Sequence, residues 1–175
     1  MIEPATGQEC AAENIRSGDN PEEGLANQRR RPGRLVAVRE LIVEYATSLG
    51  VDLSFQHLDE ELATLETFYE CILVAREDDG VAGCIALRRI DDEICEMKRL
   101  YIRPQFRGRG IGRQLVQAII DAARTRGYAR MRLDTLPSMG DAMRLYESFG
   151  FADIPPYRYN PVEGSRYMEL RLTPS

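Results

Sequence analysis

The run Leu100-Tyr101-Ile102-Arg103-Pro104-Gln105-Phe106-Arg107-Gly108-Arg109-Gly110-Ile111-Gly112 decides how this chain is read. It passes from an apolar, strand-like segment through a stop at Pro104 into a loop with glycine at 108, 110 and 112. Leu115, Ile119, Ala122 and Ala123 then share a helical face that ends at Gly127. Glycine costs backbone entropy on folding, so this density is expected where the chain turns sharply or lets a ligand come close. The first turn of such a helix has N–H groups without partners, and the helix dipole favours an anion there. Arg103, Arg107, Arg109 and Arg113 concentrate positive charge at the same place. A pyrophosphate is the anion that this loop suits.

Two familiar phosphate loops fail on spacing. A P-loop needs Gly-Lys-Ser/Thr at the helix start, and here Gly112 is followed by Arg113 and Gln114. The dinucleotide fingerprint would place its third glycine at Arg113. Although Asp134 closes the next strand, the chain is also too short for paired mononucleotide halves.

Outward from the loop, Leu35, Val38, Ile42, Tyr45 and Leu49 recur at three- and four-residue steps before Gly50, which predicts a helix over 34–49. Leu58, Leu62 and Leu65 behind Asp59 and Glu60 predict a short second helix over 58–65. Runs at 70–76, 81–89 and 94–102, separated by Asp79-Gly80 and Asp91-Asp92, predict an antiparallel meander. A strand at 129–135, a helix carrying Met143, Leu145, Tyr146 and Phe149 up to Gly150, and a strand at 167–172 follow the glycine loop and its helix. A meander feeding a strand-helix-strand unit is an α/β (α+β) fold: a mixed, mostly antiparallel central sheet with helices on both faces. Residues 1–33 lack aromatic residues and any sustained period, so they are expected to be a tail or loosely ordered extension, with Ile15-Arg16 as a candidate short first strand. Residues 34–175 are expected to form the single domain.

Composition narrows the class. A chain of 175 residues is one domain with enough length for a core, and 43% hydrophobic with 29% charged residues excludes wholesale disorder. A net charge of -5 argues against nucleic acid as partner. No apolar stretch approaches the ~20 residues that cross a bilayer, and the first residues carry no export signal. A cytoplasmic protein without a membrane partner is therefore expected. Cys10, Cys71, Cys84 and Cys95 have no CxxC spacing and His57 is the single histidine, so no metal is expected. Cys71, Cys84 and Cys95 fall in strand-like runs, where a free thiol behaves as a small buried hydrophobe.

With these elements in place, Leu100-x-Ile102-x-Pro104 followed by Arg107-Gly108-Arg109-Gly110-Ile111-Gly112 resembles the acetyl-CoA-binding motif of the GNAT superfamily of N-acetyltransferases. Ala142-x-x-Leu145-Tyr146-x-x-x-Gly150-Phe151 resembles the second signature of that family, and the two together are more specific than either alone. The resemblance covers residues 34–173. It implies acetyl-CoA as cosubstrate, no metal, and direct transfer of the acetyl group to a primary amine of a small molecule or peptide. It further implies that the backbone of Leu100, Tyr101 and Ile102 pairs with the pantetheine arm. The amides of Arg107, Gly108, Arg109, Gly110, Ile111 and Gly112, with Arg113 beside them, would hold the pyrophosphate. Ala142 and Tyr146 belong to the cofactor side, Tyr146 near the thioester sulfur. Met139, with Ser138 beside it, stands where many members carry asparagine. The chain also departs at its start, where the family's first strand runs directly into its first helix.

An alkylammonium of pKa about 10 is protonated at neutral pH, so the reaction needs a base. Glu96 is the candidate. Alternation over Ile94, Glu96, Lys98, Leu100 and Ile102 places it on the face of Leu100 and Ile102, where desolvation is expected to raise its pKa. A salt-bridged edge glutamate is the bland alternative. A backbone N–H near residues 100–102 is available to an oxyanion, and Tyr146 is available to the departing thiolate, unless it is only a packed core tyrosine. The acceptor site is expected from Asp52, Ser54, Phe55 and Gln56 together with Tyr157, Tyr159 and Asn160. Arg88, Arg99 and Arg158 suit a carboxylate if the acceptor resembles an amino acid. A non-catalytic acyl-CoA-binding sensor or interaction domain is the alternative function, and a homodimer is left open.

Overall fold

The computed structural model describes residues 1–5, 31–50, 58–78 and 80–172, with the backbone alone for 31–34. In chain order the elements are β1 (Ile2–Pro4), α1 (Arg31–Leu49), α2 (Leu58–Ala63), α3 (Leu65–Phe68), β2 (Cys71–Glu77), β3 (Gly80–Arg89) and β4 (Ile94–Ile102). A 3-10 turn (Pro104–Phe106), α4 (Ile111–Thr125), β5 (Arg130–Thr135), α5 (Gly140–Ser148), β6 (Ala152–Asp153) and β7 (Arg166–Arg171) complete it. The seven strands form one sheet in the order β1-β2-β3-β4-β5-β7-β6, in which only β4 and β5 run parallel.

Helical spacing sorts the core into two layers. On α1, Val38, Leu41 and Ile42 are buried while Val36 and Val43 stay exposed, so its apolar stripe lies on the sheet. It packs with Leu65 and Tyr69 over Ile72, Val74, Cys84, Ala86 and Tyr101. On the opposite face, Leu115, Val116, Ile119 and Ile120 of α4 cover Leu73, Ile85, Leu87, Met97, Met131 and Leu133. Each such side chain is fully or nearly fully buried, which stabilises by about 1.5–3 kcal/mol relative to exposure.

Three details differ from the sequence expectation. The edge strand is Ile2–Pro4, antiparallel to β2 with Ile2 opposite Ala75, and Ile15-Arg16 lies outside the described residues. Helix α1 begins at Arg31, not 34, so the boundary drawn at residue 33 cuts through a helix. Cys84 and Cys95 are buried free thiols as expected, whereas Cys71, equally buried, is disulfide-bonded. Among the described residues no helix is long and apolar enough to cross a membrane, and no cluster of His, Cys, Asp or Glu is arranged to hold a metal.

Two irregularities in the sheet create the site. The parallel ladder between β4 and β5 covers only Ile94–Arg130, Cys95–Met131 and Glu96–Arg132. Beyond it the strands part. In β4 the pairing with β3 slips between Cys84 and Ala86, whose partners are Tyr101 and Lys98, so an extra residue bulges out of the ladder. Arg99 is that residue, with φ 58.

Candidate active site

The glycine loop joins β4 to α4. Gly108 and Gly110 have φ 76 and 77, a left-handed conformation that costs an L-residue roughly 1–2 kcal/mol. A Cβ on either would meet no atom within 4 Å, so the backbone angle demands glycine and the space beside the loop is open. The first bond inside α4 runs from the Gln114 amide to the Gly110 carbonyl. The amides of Ile111, Gly112 and Arg113 therefore precede the helical ladder. The Arg107 amide is already committed: it donates to the Pro104 carbonyl at 3.2 Å and closes the 3-10 turn. This corrects its expected place among the pyrophosphate donors.

A cleft of about 590 Å³ opens beside this loop. Its wall takes Leu100, Tyr101 and Ile102 from β4, Arg107, Gly108, Gly110, Ile111, Gly112 and Arg113 from the loop and α4, and Met139, Ala142 and Leu145 from the α5 side. Of the expected cofactor residues, Arg109 and Tyr146 are not on this wall. Arg109 stacks over Phe106 at 5.4 Å and donates to the Gln105 carbonyl. Arg103 is also diverted, because Glu44 of α1 takes its guanidinium at 2.7 Å with Glu40 at 3.9 Å. The positive charge at the cleft thus comes from Arg107, which donates to the Ile102 carbonyl, and Arg113, which donates to the Ser148 hydroxyl. The volume, the open loop and the helix N-terminus suit the pantetheine and pyrophosphate of an acyl-CoA.

Tyr146 lies in a narrower recess of about 30 Å³ that continues the cleft, both being lined by Tyr45, Leu49, Leu100 and Met139. The recess adds Met97, Lys98, Arg99, Leu133, Asp134, Thr135 and Leu136, with room for a group about the size of one water. The Thr135 hydroxyl is buried there without a hydrogen-bond partner among the described residues, an unmet demand that a polar ligand atom would satisfy. Burial, then the neighbouring Tyr45 and Asp134, raise the Tyr146 phenol far above its ordinary value. It stays neutral and can donate a hydrogen bond.

The bulge at Arg99 decides which side chains meet the recess from which face. Before it, Cys95 and Met97 pack on the α4 side; after it, Leu100 and Ile102 do, and Tyr101 joins the α1 side. Strict alternation would have put Glu96 and Leu100 together. The extra residue separates them, so the expectation that Glu96 shares a face with Leu100 and Ile102 is corrected. A non-glycine residue at positive φ stores roughly 1–3 kcal/mol of strain and persists only where the surroundings over-determine it. Here the guanidinium of Arg99 donates to both Glu61 oxygens at 2.8 and 2.5 Å, and the Tyr69 hydroxyl donates to the same carboxylate at 2.6 Å. Glu61 is fully buried, and Cys84 donates its thiol to the Arg99 carbonyl at 3.5 Å.

Opposite the α4 layer, charged groups converge on the parting strands. Glu96, 2% exposed, accepts from the Tyr157 hydroxyl at 2.8 Å and from Arg158 at 3.0 Å, with the Lys98 ammonium 3.8 Å away. Asp134 accepts from Asn160 at 2.9 Å and lies 3.7 Å from Arg158. Burial alone would raise the Glu96 carboxyl, but Lys98, Arg158 and the Tyr157 hydroxyl outweigh it and hold it below the usual range. The expected rise is thus reversed. Lys98 moves the other way for an amine: burial lowers it most, Glu96 counters, and Arg158 and Arg99 lower it further, to about 8.

Among the expected acceptor residues, Tyr157 and Asn160 come to this cluster as ligands of Glu96 and Asp134, while Tyr159 is 77% exposed. Asp52, Ser54, Phe55, Gln56 and His57 lie outside the described residues. Arg88 lies over Phe68 at 4.6 Å; Arg99, held by Glu61, lines the recess, and Arg158 is the one of the three that pairs with Glu96. Lys98, Asp134 and Thr135 were not singled out from the sequence as site residues. The one available signal was the two-residue step from Glu96 to Lys98, which puts a carboxylate and an amine on one face of a strand.

Known proteins share this plan. The profile of the Acetyltransferase (GNAT) family matches residues 35–151. An uncharacterized N-acetyltransferase of Schizosaccharomyces pombe is 42% identical over 81% of this chain and 91% of its own length. An IAA acetyltransferase of Azospirillum brasilense is 40% identical over 78% of this chain and 91% of its own length. In fold, a GNAT family acetyltransferase from Elizabethkingia anophelis, solved with acetyl-CoA bound, superposes with a TM-score of 0.59 at 20% identity, covering 98% of this chain and 97% of its own. A sheet parted beside a glycine-capped helix, matched along most of its length by acetyltransferases, makes this chain an acyltransferase of the GNAT family.

Proposed function

We propose that the enzyme moves the acetyl group of acetyl-CoA directly to a primary amine of a small molecule or peptide. The observation that carries this reading is the continuity of the cleft with the recess, where Tyr146 from the α4 side and Lys98 and Asp134 from the other face line one space between the parted strands. The glycine-loop amides and Arg113 hold the pyrophosphate, and Leu100, Tyr101 and Ile102 run beside the pantetheine. Bound there, acetyl-CoA supplies an activated thioester. The amine enters from the Lys98 side, Asp134 attracts its ammonium, and the high-pKa phenol of Tyr146 offers the departing sulfur a hydrogen bond. Glu96, held as an anion, orients Lys98 and Arg158.

The test is release of free thiol from acetyl-CoA against a panel of amino acids, polyamines, aminoglycosides and short peptides. One or more amines are expected to accelerate release and to be recovered as the N-acetyl product. Binding of acetyl-CoA with no amine-dependent release across the panel would refute direct transfer to these classes.

A further inference from the structure

We propose that Lys98, acting as its neutral amine, is the group that takes the proton from the acceptor ammonium. The proposal rests on the transfer reaction put forward above. It starts from the geometry of the parted strands. Four side chains that can exchange a proton line the recess, Tyr45, Lys98, Asp134 and Tyr146, with the Arg99 guanidinium on the same wall held by Glu61. Glu96 is not on its wall, and one of its oxygens is occupied by the Tyr157 and Arg158 donors. A carboxylate so held is a weak base for an alkylammonium.

Asp134 is held by Asn160 and lies near Arg158, which suits attracting a cation better than deprotonating one. Burial raises the phenols of Tyr45 and Tyr146, so both are neutral donors. Lys98 differs from all three. Its side chain is 6% exposed, it comes from the face opposite α4, and its ammonium lies 3.8 Å from the second Glu96 oxygen. The charged groups around it are Glu96 and Arg99 on β4, Asp134 on β5 and Arg158 before β7. Burial and the two guanidiniums leave it near 8, where an appreciable fraction is neutral at physiological pH.

The proton and electron balance closes. One ammonium proton passes to the Lys98 Nζ. The freed lone pair forms the C–N bond to the thioester carbonyl carbon, the C–S bond breaks, and its electron pair remains on sulfur. A second proton from the same nitrogen neutralises the sulfur, and Lys98 returns its proton to water, so one proton is released per turnover. In this scheme Glu96 is a positioning residue.

The experiment compares wild type with Lys98→Arg and Lys98→Met, using the best alkyl amine of the panel and hydroxylamine, a nucleophile that is unprotonated at neutral pH. With the alkyl amine at saturation, wild-type kcat is expected to rise with pH to a plateau through an ionisation near 8. Both variants should lose that limb and about 100-fold or more in kcat, while acetyl-CoA Kd stays within about threefold. With hydroxylamine, wild type and variants should agree within about threefold, a selectivity that a damaged fold does not produce. Retained kcat and an unchanged pH limb in Lys98→Arg would overturn the role of Lys98 and leave the transfer reaction standing. An equal loss with both nucleophiles would also overturn it, leaving Lys98 structural. Absence of amine-dependent thiol release in wild type would remove both readings. If neither variant folds, Glu96→Gln provides the second probe. Losing the anion that raises the Lys98 pKa should move the limb to lower pH, and an unmoved limb counts against the scheme.

Discussion

Replacing Glu61 by alanine removes the anion from a site where the Arg99 guanidinium has 3% of its side chain exposed and Glu61 none. Three hydrogen bonds end on that carboxylate, two from Arg99 and one from Tyr69. Removing one member of a buried pair strands the other charge away from water and costs about 3–5 kcal/mol. For a domain of this size each kcal/mol lowers the melting temperature by about 2–4 °C, so a loss of about 6–20 °C is expected. Far-UV circular dichroism reads it directly. The informative comparison is the double variant Glu61→Leu with Arg99→Met, which removes both charges and fills their space with apolar atoms. Such replacements are often neutral or stabilising, so the double variant should recover most of the lost melting temperature. It should not recover acetyl-CoA affinity, because nothing then holds residue 99 at positive φ and turns Leu100 and Ile102 toward the cleft. A Glu61→Ala protein that melts within about 2 °C of wild type would refute the energetic argument. A double variant that binds acetyl-CoA like wild type would refute the link between the ion pair and the bulge.

Tyr146→Phe should lower kcat about tenfold or more with acetyl-CoA Kd nearly unchanged; equal turnover would take the phenol out of the reaction. Gly110→Ala puts a Cβ on a residue at φ 77 and should cost roughly 1–2 kcal/mol through backbone strain, seen as a lower melting temperature and weaker acetyl-CoA binding in calorimetry. Because the folded-state pKa of Lys98 lies near 8, below its ordinary value of 10.5, the unfolded chain binds more protons between those limits. Wild-type stability should therefore gain a positive contribution as pH rises from about 8 toward 10. Lys98→Met should lack that contribution in urea titrations run across the same range, and superimposable pH profiles would contradict the buried-amine assignment.

Features written locally in the chain were legible. The glycine loop is marked by residue type at each position, and the meander by apolar runs with turn pairs between them, so the loop at 108–112 and strands β2, β3 and β4 fall where expected. What escaped depends on partners far along the chain. Nothing adjacent to Arg99 distinguishes it from Arg103, yet one is held in a bulge by Glu61 and the other is neutralised by Glu44. The bulge then inverts the alternation that had placed Glu96 beside Leu100. Likewise the sign of the Glu96 shift depends first on Lys98, two residues along the strand, and then on Arg158 and Tyr157, some sixty residues away, so only part of what offsets the carboxylate's desolvation is visible in a local pattern. The edge strand at Ile2–Pro4 is too short to carry a period, and its pairing with β2 supplies the evidence that single-strand propensity could not.

The short parallel ladder between β4 and β5 has a mechanical consequence. Three residue pairs join a four-stranded plate, β1 to β4, to a three-stranded one, β5 to β7, so the backbone connection between the plates is a rivet rather than a seam. Side chains carry much of the rest: Arg158 spans from Glu96 on one plate to Asp134 on the other. A ligand laid along the gap occupies the position of a missing strand, meeting backbone groups that the ladder leaves unused and coupling the two plates. Its binding energy is thereby also stiffness. Amide exchange in the outer halves of β4 and β5 should slow together when the gap is filled, while the plates' outer edges keep their own rates.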